Sequence, residues 1–110
     1  MIDWTRVAEL RDEIGPEDFD EVAELFLLEV EDTLGRLDAA MHDASQMQEL
    51  LHFLKGSALN LGFRAVSLMC NRDQRNPATG QAELDIPGLK ALYAESRAEF
   101  ETEYRNRFAA

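Results

Sequence analysis

The chain has 110 residues, a length usual for one domain, so a single core is expected. Its 22 acidic and 11 basic side chains leave a formal charge of −11, which excludes nucleic acid as the main partner, because a phosphate backbone needs a basic face. With 45% hydrophobic residues and no Pro/Ser-rich tract, the composition is that of a folded chain. The longest run of large apolar side chains, Leu25-Phe26-Leu27-Leu28, is far too short to span a membrane. Met1-Ile2-Asp3-Trp4 lacks the basic and apolar regions of a signal peptide, and the single cysteine, Cys70, has no internal partner. A cytoplasmic domain is therefore expected, free-standing and monomeric.

Almost every periodic signal is helical. Asp3 is suited to cap a short helix carrying Val7, Leu10 and Ile14. Gly15-Pro16 ends that helix and starts the next. From Phe19, the positions Val22, Phe26, Val30, Thr33, Leu37 and Met41 trace one face, with Gly35 a place where the run can bend. Ser45-Gln46-Met47-Gln48 has the form of a capping box and predicts a third helix with Met47, Leu50, Leu51, Leu54, Ala58 and Leu61 inward, ended by Gly62. A fourth helix is predicted over residues 64–75 with Leu68 and Met69 inward, stopped by Asn76-Pro77. Residues 76–88 read as a loop. A last helix is predicted over 87–108 with Leu89, Leu92, Tyr93, Ser96, Phe100 and Tyr104 as its stripe. Short connections between long amphipathic helices predict an all-α fold, an antiparallel four-helix bundle with an additional short N-terminal helix, in one domain over 1–110.

Charge is unevenly spread. Residues 1–50 hold 15 acids and 3 bases, whereas within 52–75 Lys55, Arg64, Arg72 and Arg75 face Asp73 alone. That locally positive stretch surrounds His52, one of two histidines; the other, His42, reads as a solvated linker residue. With Met47, Leu50, Leu54, Ala58 and Leu61 inward at about 100° per residue, His52 points to solvent. Glycine at position 56, one turn on, costs a helix roughly 1 kcal/mol relative to alanine. Helical side chains lean toward the N-terminus, so a glycine there leaves the imidazole uncovered. Lys55 can set an ammonium beside a group on the ring, and Ser57 adds a hydroxyl nearby. If the chain reverses near Phe63, Gln74 comes level with His52 and its amide can hydrogen-bond the imidazole. Leu59 and Phe63 continue the same face as an apolar docking surface. A neutral imidazole is a competent nucleophile toward a phosphoryl group.

The string His52-x-Leu54-Lys55-Gly56-Ser57-Ala58-x-Asn60-Leu61-Gly62 resembles the signature of histidine-containing phosphotransfer (HPt) domains, and the helix order resembles that family over nearly the whole chain. The resemblance implies a phosphocarrier, not an enzyme, without an ATP site or cofactor of its own. His52 would be the phosphoacceptor, Lys55 its charge partner and Gln74 a supporting polar residue. Partners would be receiver domains of response regulators, a histidine kinase system, or both. The Mg²⁺ needed for transfer would belong to the receiver. Where the family commonly continues with Leu-Glu, this chain has Asp73-Gln74, which predicts a shorter or differently packed fourth helix. The alternative is a non-phosphorylated helical adaptor docking through the Leu59/Phe63 face. An enzyme using His52 as a general base lacks any accompanying nucleophile or metal-ligand spacing.

Overall fold

The computed structural model describes residues 1–74 and 85–108, for 71–74 as backbone only. Five α-helices follow one another among these residues: α1 (Trp4–Ile14), α2 (Pro16–Arg36), α3 (Ala44–Leu61), α4 (Arg64–Gln74) and α5 (Ile86–Phe108), with a 3₁₀ turn at Asp38–Ala40. No strand occurs among the described residues; one isolated antiparallel bridge pairs Ile2 with Phe63. The fold is the predicted all-α antiparallel bundle with its short N-terminal helix.

Each start and stop has a local cause. Asp3 caps α1, its carboxylate accepting from the Arg6 N–H at 3.2 Å. Gly15 ends α1 at φ 101°, donating to the Arg11 carbonyl at 2.8 Å, and Pro16 opens α2 with Glu17 and Asp18 in the first turn, where acids complement the helix dipole. α3 is capped by Asp43, which accepts from the Gln46 N–H at 3.1 Å, and not by Ser45 as predicted. Asp43 is the residue in extended conformation, while Ser45 already lies inside the first turn. At the other end Gly62 adopts φ 86°, and two bonds, Gly62 N–H to Leu59 O and Phe63 N–H to Ala58 O, close the helix in a Schellman arrangement.

α2 and α5 run antiparallel, as their cross-contacts show. The Phe19 and Tyr104 rings lie 5.4 Å apart, the Tyr93 hydroxyl donates to the Leu27 carbonyl at 3.3 Å, and Lys90 pairs with Asp38 at 2.7 Å. Phe19, Ala23, Leu27, Val30, Thr33, Leu34 and Leu37 line the core from this side. The predicted stripe is corrected at three places. Val22 and Phe26 are only half-buried, and Met41 is exposed because α2 ends at Arg36 and the 3₁₀ turn redirects the chain. On α4 the inward residues are Val66, Ser67 and Cys70, with Met69 half-buried; Leu68, predicted inward, is exposed. α4 is described as far as Gln74; of the predicted loop at 76–88, residues 76–84 lie outside the described residues and 86–88 already belong to α5. α5 begins at Ile86, one residue before the predicted start, with Asp85 accepting from the Gly88 N–H.

An aromatic cluster joins α1, α5 and the α3–α4 turn. Phe100 lies 5.9 Å from Trp4, 5.5 Å from Phe63 and 5.6 Å from Tyr104 between ring centroids. Arg11 and Arg107 cover its rim, each guanidinium 4.7 Å above a ring, of Phe108 and Trp4 respectively. On the flank, Arg97 meets Glu24, Glu31 and Glu101, and Glu31 also accepts from the Tyr93 hydroxyl at 2.7 Å. Burial, reinforced by Glu24 and Glu101, pushes the Tyr93 phenol well above its ordinary range.

Candidate functional site

α3 is the helix that carries the chemistry-bearing segment, and its register decides what that segment presents. Met47, Leu51, Leu54, Ser57, Ala58 and Leu61 face the core, with Leu50 half-buried at the edge. His52 lies on the opposite side of the helix and is exposed. Lys55, three residues on, is half-buried. Gly56 is exposed, and a Cβ built on it would meet nothing within 4 Å. The space directly over position 56, one turn beyond His52, is therefore open.

Two residues expected on this surface are elsewhere. Phe63 is only 2% exposed and packs against Tyr93 and Phe100, so it belongs to the core and not to a docking face. The reason is the turn: once Gly62 takes the left-handed conformation, the periodicity of α3 no longer governs the next residue, and the bridge to Ile2 turns Phe63 inward. Ser57 is likewise buried on the core side of α3 and cannot reach a group on the exposed ring. Gln74 is the last residue of α4, and its side chain lies outside the described residues.

Leu59 is exposed, at 51%, as expected. Two further apolar side chains that sequence reasoning did not place here join it: Leu68 at 57% and Phe53 at 42%. Leu59 and Leu68 share a shallow cleft with Arg64 and Ser67 between α3 and α4. Phe53, the neighbour of His52, lies in a second groove with Leu50 of α3 and Glu29, Asp32, Thr33 and Arg36 of α2. Exposed apolar surface thus lies on both sides of His52. The signal for Phe53 was present in the sequence, since a core centred on Leu51 and Leu54 leaves position 53 at the helix's edge.

α1 and the end of α3 are stitched together below this face. The Asp3 N–H donates to the Gly62 carbonyl at 2.7 Å, the Ala65 N–H to the Met1 carbonyl at 3.2 Å, and the Arg6 Nε to the Asn60 carbonyl at 3.1 Å. Gly62 has no room for a side chain, because a Cβ there would lie 2.8 Å from the Asp3 carbonyl oxygen and 2.9 Å from the Val7 Cγ2. Among the described residues, no group of three or more His, Cys, Asp or Glu side chains is placed to hold a metal ion, and no helix is long and apolar enough to cross a membrane.

A family model for the Hpt domain matches residues 21–99, a span that runs from α2 into α5 and includes all of α3. No curated protein and no solved structure gave a significant match.

Proposed function

The chain belongs to the Hpt domain family, which places it in phosphotransfer of two-component signalling, and from that premise we propose that it is a phosphocarrier whose acceptor is His52. A neutral imidazole nitrogen attacks the phosphorus of an aspartyl phosphate on a receiver domain. The N–P bond forms as the P–O bond to the aspartate breaks, and the aspartate leaves as a carboxylate with that bond's electron pair. The reverse step returns the phosphoryl group to an aspartate. Lys55, one turn along α3, offsets charge on the phosphoryl oxygens, and Gly56 keeps the approach open. The receiver brings the aspartate and the divalent cation, and this chain presents the ring. Leu59, Leu68 and Phe53 provide apolar surface for the partner.

The observation that carries this reading is an exposed histidine on the central helix of an Hpt-family bundle, followed one turn later by a glycine with open space above it. The test is phosphoryl transfer from a panel of phosphorylated receiver domains to the wild type and to His52→Gln. Acid-labile, alkali-stable label on the wild type alone supports the phosphocarrier. Equal labelling of His52→Gln moves the acceptor elsewhere. No label on a folded protein that still binds receivers favours an adaptor, which would use Leu59 and Leu68, since Phe63 is buried.

A further inference from the structure

α3 is poor in charge, and what it has is arranged about His52. In a chain with 22 acids, the 18 residues of this helix hold one, Glu49, and one base, Lys55; they stand three positions before and three after the histidine. Three residues of helix turn through about 300° and climb about 4.5 Å. Glu49 and Lys55 therefore stand on opposite flanks of His52, each about 60° round the helix. Lys55 falls on the flank of Leu59 and α4, and Glu49 on the flank of Phe53 and α2. Positions three apart on a helix are neighbours, and the imidazole leans back over the turn that contains Glu49. Glu49 and His52 are both exposed, and neither side chain is bonded to another described residue. Position 56 lies seven residues beyond Glu49, on nearly the same line of the helix, and the space over that glycine is open.

We infer that Glu49 is a positioning residue for His52: its carboxylate accepts from the imidazole Nδ1–H, which leaves Nε2 as the nucleophile. The inference rests on the phosphocarrier reading and adds to it the group that holds the ring proton. Nδ1 adjoins the stem of the side chain and so reaches a neighbour on its own helix, whereas Nε2 lies at the far edge of the ring and meets a partner. A neutral imidazole has one N–H and one lone pair, and only the nitrogen with the lone pair attacks phosphorus. As the Nε2–P bond forms, the donor's bond to phosphorus breaks and its electron pair leaves with the donor. The ring becomes cationic while the proton stays on Nδ1. A carboxylate on that proton fixes the tautomer and offsets the new charge, as the aspartate of a Ser-His-Asp triad does for its histidine. Lys55 meets the phosphoryl oxygens on the other flank. The two charges thus serve different parts of one ring, and the order Glu49-His52-Lys55 keeps the anion on the flank away from the phosphoryl group.

The experiment compares the full chain with Glu49→Ala and Glu49→Asp. The position is exposed, so the fold is expected to persist, and circular dichroism checks it. Proton–nitrogen NMR correlation of the imidazoles, at mildly alkaline pH where the rings are neutral, reads the tautomer of His52, with His42 as internal reference. The wild type should be enriched in the Nδ1–H form. Glu49→Ala should revert to the balance seen for His42, and Glu49→Asp should restore the enrichment at least in part. A merely structural role for Glu49 would not move this signature. Each protein is then labelled with phosphoramidate, whose P–N bond breaks as the His52 N–P bond forms and ammonia leaves. Glu49→Ala should label about twofold more slowly at low salt, the size an exposed charge pair three residues apart supports, with the gap narrowing at high salt. The same tautomer balance in the wild type and Glu49→Ala overturns the inference. So does faster labelling of Glu49→Ala, which would show that the carboxylate only repels the phosphoryl donor. Absence of label on all three proteins overturns the phosphocarrier reading and, with it, the role given to Glu49.

Discussion

Gly56 separates stability from access to His52. In a helix interior, glycine is worse than alanine by about 1 kcal/mol, largely because its backbone loses more freedom on folding. Nothing offsets that difference here, since a Cβ at position 56 meets no atom within 4 Å and the residue is exposed. Gly56→Ala should therefore stabilise the bundle by about 1 kcal/mol, which for a domain of this size raises Tm by about 4 °C. Gly56→Leu should gain nearly as much from helix propensity, while its longer side chain leans back toward His52. Phosphohistidine formation in the leucine variant is expected to fall about tenfold or more, with an unchanged circular dichroism spectrum and a raised Tm. Thermal unfolding and phosphoramidate labelling of the two variants check both halves. A destabilised alanine variant would refute the open space above Gly56. A leucine variant labelled at the wild-type rate would show that cover over the ring does not limit the chemistry.

Three other outcomes follow from the packing. Phe63→Ala should cost about 3–5 kcal/mol in urea unfolding, the usual loss for an aromatic removed from a core; a cost near zero would return Phe63 to the surface. Gly62→Ala must both hold a left-handed backbone and displace the Asp3 carbonyl, so a loss of about 2 kcal/mol or more is expected, with faster amide exchange along α1. Tyr93 holds its proton more tightly folded than unfolded, so its contribution is complete below pH 10 and is lost as pH rises above that into the range of the folded phenol. Tyr93→Phe should flatten this alkaline loss without abolishing it, because Tyr104 is shifted upward as well; an unchanged slope would remove Tyr93 from the account.

The helices were legible because period 3.6 extends over many turns of α2, α3 and α5, and because Gly15-Pro16 and Gly62 mark their ends unambiguously. The inward face was less so. In α2 the choice between Val22/Phe26 and Ala23/Leu27 depends on which flank meets α5, and no single helix carries that information. Leu68 illustrates the same limit: α4 has apolar or small side chains at every position from 65 to 70, so tertiary packing selects Val66, Ser67 and Cys70. For the site, position within a helix transferred well, as with the exposure of His52, Gly56 and Leu59. Extrapolation past a helix end failed. Phe63 follows a left-handed residue, and a long-range bridge to Ile2 sets its direction.

The reach of the aromatic cluster bears on how small a working fragment of this molecule can be. The family match spans residues 21–99, yet Trp4, Phe19, Phe100, Tyr104 and Phe108 all lie beyond it, and only Phe63 and Tyr93 lie within. A fragment trimmed to those limits would keep His52, Gly56 and the Tyr93 ring against Phe63, but would remove Phe100, the second ring against Phe63, and the rings stacked on Phe100. It would also remove the Asp3 amide that binds the Gly62 carbonyl. The segment that carries the recognisable motif thus leaves out part of the packing around the α3–α4 turn, which draws on contacts from α1 and from the C-terminal half of α5.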